Sequence, residues 1–175
     1  YVTEAYAQMV QEGSMKNIIT TCSPRANELV ELYHPDLVPY MAPVVSPMIA
    51  HGKLLHEELG ENMRFVFIGP CIAQKKEAEI DERTRGYVDA VIDFVELESW
   101  LEEAGIDMQN CEPSRMDNRN PKINRLYPIT GGVLDAVNVA AGKHAYKPTS
   151  VHGLEECIAL LETMKKGELD HCLIE

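Results

Sequence analysis

Short runs of β-branched and other apolar residues alternate with amphipathic segments along most of this chain. The apolar runs predict β-strands at residues 17–21, 64–68, 88–94 and 171–174. Apolar residues spaced three and four apart predict helices over residues 2–11, 24–34, 47–60, 74–83, 96–104, 133–141 and 153–166. Strands that alternate with helices in this way indicate an α/β fold, in which a mostly parallel β-sheet carries helices on both faces.

Three stretches depart from this alternation. Residues 35–47 are apolar and carry four prolines, which predicts an extended crossing that packs against the sheet. Residues 107–126 are polar and show no regular spacing of apolar residues, which predicts a loop or an insertion. Residues 143–150 are predicted to be irregular. We otherwise expect a single α/β lobe over residues 1–175. Both ends fall inside predicted elements, so we expect the chain to be a fragment of a longer protein.

The composition narrows the classes of function. The 175 residues carry a formal net charge of −12, so no nucleic-acid partner is expected, because phosphate contacts need clustered Lys and Arg. No apolar run approaches the roughly 20 residues that span a bilayer, and no signal peptide opens the chain. We therefore expect no membrane partner and predict a cytoplasmic location.

Two of the five cysteines stand at positions where a catalytic or metal-binding thiol is expected. Cys22 and Cys71 follow the first two predicted strands, and sites in parallel α/β sheets lie beyond the carboxyl ends of strands. The helix N-terminus after Cys22 favours a thiolate, which suits a nucleophile, a metal ligand or a proton shuttle. A buried, inert thiol is the alternative for both residues. Two thiolates do not complete a zinc or iron–sulfur site, which takes four ligands.

Two further features allow a functional and a structural interpretation. Glu77 lies on the helix that leaves the Cys71 turn, where a carboxylate can shuttle protons or simply be a solvated charge. Thr130-Gly131-Gly132 precedes a helix, where backbone N–H groups can hold an anion. A structural Gly-Gly turn is the alternative there.

The order and spacing of four motifs resemble the catalytic domain of the iron-only ([FeFe]) hydrogenases, in particular its hydrogenase-like or sensory branch. The motifs are Thr20-Thr21-Cys22-Ser23-Pro24, Ser46-Pro47, Gly69-Pro70-Cys71-Ile72-Ala73-Gln74-Lys75-Lys76-Glu77 and Thr130-Gly131-Gly132-Val133. In that family the domain holds the H-cluster, a [4Fe–4S] cluster bridged to a di-iron centre. The family's third cysteine motif follows the final strand, and this chain stops at Glu175. The resemblance therefore implies both centres in a full-length parent, and none in this chain alone.

The resemblance also implies roles for individual residues. Cys71 matches a cluster ligand and Glu77 a proton-relay carboxylate. Cys22 matches the cysteine that relays protons, and a register shift by one residue would make it a metal ligand instead. The positions expected to contact the cofactor are Ser23, Pro24, Ser46, Pro70, Gln74, Thr130, Gly131 and Gly132.

Several positions depart from the family pattern. Ser23 stands where the family has a cluster cysteine, Gln74 where it has a lysine, and Gly69 where it has a methionine; Ala42 and Arg25-Ala26 also differ. We therefore expect a parent that serves hydrogen or redox sensing or electron transfer. Its expected partners are the rest of its own catalytic domain and ferredoxin-like or sensory domains. A genuine hydrogenase that interconverts protons and H₂, and a metal-free structural or assembly module, are the alternatives.

Overall fold

A computed structural model describes residues 1–60, 62–115 and 122–175. The chain divides into two compact units. The first unit comprises Tyr1–Ser46 and Pro121–Glu175, and the second unit comprises Pro47–Asn120. Each unit therefore has its own strands and helices and is described by itself below.

With the exception of one additional strand in residues 143–150, the described strands and α-helices follow in the predicted order. The α-helices are α1 (Val2–Glu12), α2 (Pro24–Tyr33), α3 (Pro47–Leu59), α4 (Ala73–Glu79), α5 (Phe94–Glu103), α6 (Gly132–Ala141) and α7 (Leu154–Lys165). The strands are β1 (Ile18–Ile19), β2 (Val66–Ile68), β3 (Ala90–Ile92), β4 (Lys147–Thr149) and β5 (Cys172–Ile174). Within the part of the chain that the structure describes, no helix is both long and apolar enough to cross a membrane.

The first unit is built on a three-stranded parallel sheet in which β5 lies between β1 and β4. Ile18 pairs with Leu173, and Ile19 pairs with Ile174. Successive strand residues point to opposite faces, so Ile18 and Leu173 join an apolar cluster with α1 and α6. Ile19 and Ile174 join a second cluster with α2 and α7. The predicted α/β fold, a parallel sheet flanked by helices on both faces, is therefore confirmed in this unit.

The second unit contains a two-stranded parallel sheet. Val66 of β2 pairs with Ala90 of β3, and Ile68 pairs with Ile92; α4 packs against β3. The described strands therefore form two sheets, one in each unit. The alternation of strands and helices predicts parallel pairing, but it does not tell which distant strands pair.

Strand β4 lies in residues 143–150, which were predicted to be irregular. Pro148 in its centre has no N–H group and obscures the strand pattern. Its neighbours carry the pairing with β5: the Lys147 N–H donates to the His171 carbonyl at 2.6 Å, and the Glu175 N–H donates to the Thr149 carbonyl at 3.0 Å. A proline is tolerated here because β4 is an edge strand with only one neighbour.

The two other stretches are more regular than predicted. Pro35–Tyr40 forms a 3-10 helix rather than an extended segment, although the prediction that this stretch packs on the core is confirmed by Leu37, which is 3% exposed. Met108–Asn110 and Lys122–Leu126 are also 3-10 helices. Residues 116–121 of the predicted loop or insertion lie outside the described residues.

Helix α5 begins with a capping box. The Asp93 carboxylate accepts hydrogen bonds from the backbone N–H groups of Val95 and Glu96 at 3.0 and 2.9 Å, and the Glu96 carboxylate accepts one from the Asp93 N–H at 2.8 Å. Lys75 Nζ lies 2.6 Å from Glu96 Oε2 and 3.4 Å from Asp93 Oδ2. The hydrogen bond from the Glu96 N–H is the largest cause of the lowered pKa of Asp93.

Helix α6 begins at a glycine that a larger residue cannot replace. A Cβ atom on Gly132 would lie 1.7 Å from the carbonyl oxygen of Leu126. The backbone of α6 therefore rests directly on the end of the preceding 3-10 helix, and only glycine permits this approach.

We expect Gly132→Ala to destabilise the first unit by about 3 kcal/mol, because the added methyl group forces two backbone segments apart. Gly167→Ala is the matched control. Gly167 has a φ of 73° but open space around its Cα, so its substitution should cost only about 1 kcal/mol of backbone strain. Urea denaturation followed by circular dichroism measures the free energy of unfolding of each variant. An equal loss of stability in Gly132→Ala and Gly167→Ala would contradict the packing argument.

We expect Asp93→Asn to make the second unit less sensitive to acid. Folding lowers the pKa of the Asp93 carboxyl, so the stability it contributes is present above its unfolded pKa and is lost as the pH falls through the folded pKa. The urea midpoint of the wild-type chain should therefore fall more steeply below about pH 4 than that of the variant.

The matched control for the pH profile is Glu98→Gln, which removes one negative charge from an exposed position of the same helix. At pH 7 the wild-type chain should be more stable than Asp93→Asn, because the charged cap is lost in the variant. If the urea midpoints of the wild-type chain and Asp93→Asn changed in parallel with pH, the acid sensitivity would not come from the Asp93 carboxyl.

Candidate functional site

The first candidate motif stands at the carboxyl end of β1. Pairing with β5 continues past the strand, because the Thr20 N–H donates to the Ile174 carbonyl at 2.8 Å. The side chain of Thr21 is buried, Cys22 is half-buried, and Ser23 is exposed. The structure therefore places Cys22 at the edge of the sheet, where the sequence predicts it.

Ser23 serves as the N-cap of α2. Its Oγ accepts a hydrogen bond from the Ala26 N–H at 3.4 Å, with φ −105° and ψ 110°, the extended backbone that N-caps adopt. Pro24 follows at the first helical position, where its fixed φ suits a helix start. The Ser23 hydroxyl is thus engaged by the helix, while the Cys22 side chain packs against the α1–α6 cluster.

A buried tyrosine contacts Cys22 from helix α1. The Tyr6 hydroxyl lies 3.5 Å from Cys22 Sγ and 3.1 Å from Thr21 Oγ1, and it accepts the Thr21 N–H at 2.8 Å. Burial raises the pKa of the Tyr6 phenol, and the adjacent Cys22 raises it further. The sequence carries one signal of this contact, since a phenol on an apolar helix face needs a polar partner. It does not identify the partner.

A second hydroxyl pair lies beside the same cluster. The side chains of Thr3 and Tyr127 share a hydrogen bond of 2.7 Å between their hydroxyl groups. Burial raises the pKa of Tyr127 to about 12, with smaller contributions that raise it from Cys22 and Glu175. The phenols of Tyr6 and Tyr127, whose pKa values burial and Cys22 both raise, therefore stay protonated at neutral pH.

The N-terminus of α6 is occupied by a side chain of the chain itself. The Glu175 carboxylate accepts hydrogen bonds from the N–H groups of Val133 and Leu134 at 3.1 and 3.2 Å. Burial raises the pKa of Glu175, and these N–H donors oppose that shift. The donors next to Thr130-Gly131-Gly132 are thus used internally, which favours the structural interpretation of this turn. Sequence analysis missed Glu175, although it follows a strand just as the Cys22 turn does.

The second candidate motif follows β2 in the second unit. The turn leaves little room for a side chain at Gly69, because a Cβ atom there would lie 2.6 Å from the ring of Phe67. Pro70 is exposed and Cys71 half-buried, and the Cys71 carbonyl accepts the Gln74 N–H at 3.1 Å. The thiol is therefore held at a strand end by a compact turn, as the sequence predicts.

Glu77 is buried on the helix that leaves this turn. Its side chain is 7% exposed, so it is not the solvated charge that was one of the two interpretations. Its backbone carbonyl also accepts the Thr84 hydroxyl at 2.5 Å. Burial of a carboxylate is costly without hydrogen-bonding or charged partners, and a role of Glu77 in proton transfer stays a prediction.

Gln74 stands where the family has a lysine, and the neighbouring Lys75 does not take over that position. Lys75 is held at the start of α5 by the capping-box carboxylates, and its pKa is raised, chiefly by Glu96. Gln74 itself is half-buried. The departure from the family pattern at Gln74 is therefore not compensated by its neighbour.

The predicted site residues are divided between the two units. Cys22, Ser23, Pro24, Ser46, Thr130, Gly131 and Gly132 belong to the first unit, and Pro70, Cys71, Gln74 and Glu77 to the second. Within residues 1–60, 62–115 and 122–175, no three His, Cys, Asp or Glu side chains are arranged to hold a metal ion. Since an iron–sulfur cluster takes four ligands, the described residues alone do not fit a complete cluster site.

Comparison with known proteins places this chain in a family. A family model described as "Iron only hydrogenase large subunit, C-terminal domain" matches residues 2–175. The periplasmic [Fe] hydrogenase large subunit of Nitratidesulfovibrio vulgaris is 28% identical over 130 residues, which cover 67% of this chain and 31% of that protein. The chain thus spans well under half of this curated relative.

Solved structures show the same fold. An apo variant of the [FeFe]-hydrogenase HydA1 from Chlamydomonas reinhardtii matches with a TM-score of 0.74 at 19% identity, over 99% of this chain and 62% of that chain. HydA(deltaEFG), described in a study of stepwise H-cluster assembly, matches with a TM-score of 0.74 at 19% identity, over 99% and 61% of the two chains. The family match across residues 2–175 and this common fold show that the chain belongs to the family of C-terminal domains from iron-only hydrogenase large subunits.

Proposed function

We propose that this chain is part of a hydrogenase-like catalytic domain whose full-length parent binds an iron–sulfur centre of the H-cluster type. The proposed role of that centre is hydrogen or redox sensing, or electron transfer. One observation carries the proposal: in a chain that the family model matches from residue 2 to residue 175, each unit holds a half-buried cysteine just past a parallel strand. These cysteines are Cys22 and Cys71.

The two thiols support the binding of iron in different ways. Cys71 follows the Gly69-Pro70 turn at the end of β2 and is the stronger candidate ligand, because the resemblance assigns that role to it directly. Cys22 contacts the Tyr6 hydroxyl, which suits either a ligand or a proton relay. The remaining ligands of a four-coordinate cluster would come from the rest of the parent.

Two observations support sensing or electron transfer rather than rapid hydrogen turnover. The position at which the family has a second cysteine in its first motif holds Ser23, whose hydroxyl caps α2. Gln74 takes the place of a lysine, and Lys75 is engaged by Asp93 and Glu96. Each change removes a group that the family places at its active centre.

A metal-free structural module is the second candidate. It is supported by the internal use of two helix N-termini at the predicted site. Ser23 caps α2 and Glu175 occupies the start of α6, so both motifs have a structural explanation that requires no cofactor.

The proposed partner is the rest of the catalytic domain, joined to ferredoxin-like or sensory domains of the parent. The length comparison supports the first part of this proposal, since the chain covers 31% of the curated relative and 62% of the matching HydA1 chain. The ferredoxin-like or sensory domains are proposed from the resemblance alone. A cytoplasmic location for the parent is also proposed, because the five cysteines of this chain are free thiols, as is usual in a reducing compartment. The Nitratidesulfovibrio relative is named as periplasmic.

The iron content of the full-length parent tests this proposal. After anaerobic reconstitution with iron and sulfide, Cys71→Ala should lose most of the cluster absorption and bound iron, because a three-ligand site holds the cluster weakly. The exposed Cys111 provides the matched control, and Cys111→Ala should retain the wild-type iron content. Equal iron in the wild-type protein and in Cys71→Ala would support the metal-free module instead.

The same measurement separates the two residues of the first motif. Cys22→Ala should lower the iron content if Cys22 is the ligand. Ser23→Ala should leave the iron content unchanged and destabilise the first unit by about 1 kcal/mol through loss of the cap. The opposite result, with iron lost only on substitution of Ser23, would show that the hydroxyl binds the cluster.

Hydrogen turnover distinguishes sensing from catalysis. The full-length parent, matured anaerobically and supplied with a strong one-electron donor, should evolve H₂ at least about a hundredfold more slowly than a hydrogenase assayed beside it. Gln74 stands where the family has a lysine, and loss of one preorganised donor at an active centre costs about that factor. Gas chromatography measures the rate. Turnover comparable to that of the hydrogenase beside it would show that the parent is a genuine hydrogenase.

A further inference from the structure

Helix α5 carries an apolar stripe that the second unit leaves open. Phe94, Leu97 and Leu101 recur at a spacing of three and four residues, and Trp100 lies beside them on the same face of the helix. Phe94 and Trp100 are 57% and 58% exposed, and the two leucines are half-buried. Every other α-helix of the described chain buries at least one residue, whereas α5 buries none. Since an amphipathic helix normally buries such a stripe, part of the layer beneath α5 is missing.

The sheet of the second unit is open on one face as well. Val66 and Ile68 of β2 point to the same face, and both side chains are exposed. The residues that pair with them on β3, Ala90 and Ile92, are only half-buried. Parallel strands are usually buried on both faces, as they are in the first unit. A missing layer of the same domain explains the open sheet face and the open helix stripe together.

Carboxylates border the stripe of α5 on both sides. Glu98 stands four residues after Phe94, and Glu103 stands three residues after Trp100, so each exposed ring has an exposed carboxylate as its neighbour on the helix surface. Residues 94–107 contain Glu and Asp but no Lys or Arg. A segment that covers the stripe therefore meets negative charge at both of its margins, and Lys or Arg at those margins favours its binding.

We propose that α5 is the surface through which the second unit binds an amphipathic segment of its parent outside residues 1–175, and that this segment carries Lys or Arg on both sides of its apolar residues. The inference rests on the proposed partnership with the rest of the catalytic domain. The chain covers 62% of the matching HydA1 chain, so a domain of that length has further residues to supply the segment.

A second copy of this chain fits the stripe less well. It would bring its own Glu98 and Glu103 towards the carboxylates already present, and like charges across an interface cost binding free energy. Each copy also carries a formal net charge of −12, which opposes self-association. The charge around the stripe therefore favours a basic segment of the parent over a second α5.

Photo-cross-linking in the purified full-length parent identifies the segment. The photoreactive residue p-benzoylphenylalanine replaces Trp100, and mass spectrometry locates the product after irradiation. The cross-link should join α5 to a position of the same chain outside residues 1–175 that has Lys or Arg within about one helical turn. A covalent dimer, a cross-link to residues 1–175, a cross-link to a segment without Lys or Arg, or the absence of a product would each overturn the proposal.

Ser99 is the matched control position for cross-linking, because it is exposed on the opposite face of the same helix. The same photoreactive residue at Ser99 should give no cross-link to that segment. An equal yield from the two positions would show that the product does not depend on the apolar stripe and would contradict the proposed interface.

Hydrogen exchange in the full-length parent tests the charge at the margins of the stripe. The backbone amides of residues 94–103 should exchange about tenfold faster in the double variant Glu98→Lys/Glu103→Lys than in the wild-type parent, because two ion pairs at the rim of an interface are replaced by repulsion. In about 1 M NaCl the difference should shrink to about twofold, since salt screens exposed charges.

The matched control for hydrogen exchange is Glu57→Lys/Glu58→Lys, which makes the same change of charge at exposed residues of α3 in the same unit. It should leave exchange in α5 unchanged. Equal exchange in the wild-type parent and Glu98→Lys/Glu103→Lys, or equal acceleration in the α3 variant, would overturn the proposed basic partner. Neither experiment requires bound iron, so the outcome of the iron measurement on Cys71→Ala is separate from both.

Discussion

The parallel pairing of β5 between β1 and β4 is the constraint on which the first unit depends. Parallel strands place their carboxyl ends at one edge of the sheet, so pairing of Ile18 with Leu173 brings the residues after β1 and β5 to the same edge. Cys22 and Glu175 are the residues that leave the sheet there. Helices on both faces bury the strands, and the N-termini of α2 and α6 lie at this edge as well.

Three helix N-termini, two in the first unit and one in the second, are capped by side chains of the chain itself. Ser23 caps α2, Asp93 caps α5, and Glu175 accepts from the first turn of α6. Unpaired backbone N–H groups at buried helix ends are costly, and each of these oxygens removes that cost. At α2, α5 and α6 the first-turn N–H groups are therefore engaged within the chain itself.

The two units repeat one local design with different surroundings. In each, a short parallel strand ends in a turn that presents a half-buried cysteine. Cys22 lies among hydroxyl groups from Tyr6 and Thr21, whereas Cys71 precedes a helix with a buried carboxylate, Glu77. The two strand-end cysteines therefore differ in their surroundings, hydroxyl groups at Cys22 and a helix with a buried carboxylate after Cys71.

The sequence by itself determined the α/β class, the order of strands and helices, and the strand-end positions of Cys22 and Cys71, because these follow from local periodicity and turn chemistry. Only the tertiary structure decided that the strands form two sheets, that β4 contains Pro148, and that Tyr6 and Glu175 reach the site. Those features depend on contacts between residues far apart in the chain, such as Tyr6 with Cys22 and Glu175 with α6, and a local pattern carries no information about such contacts.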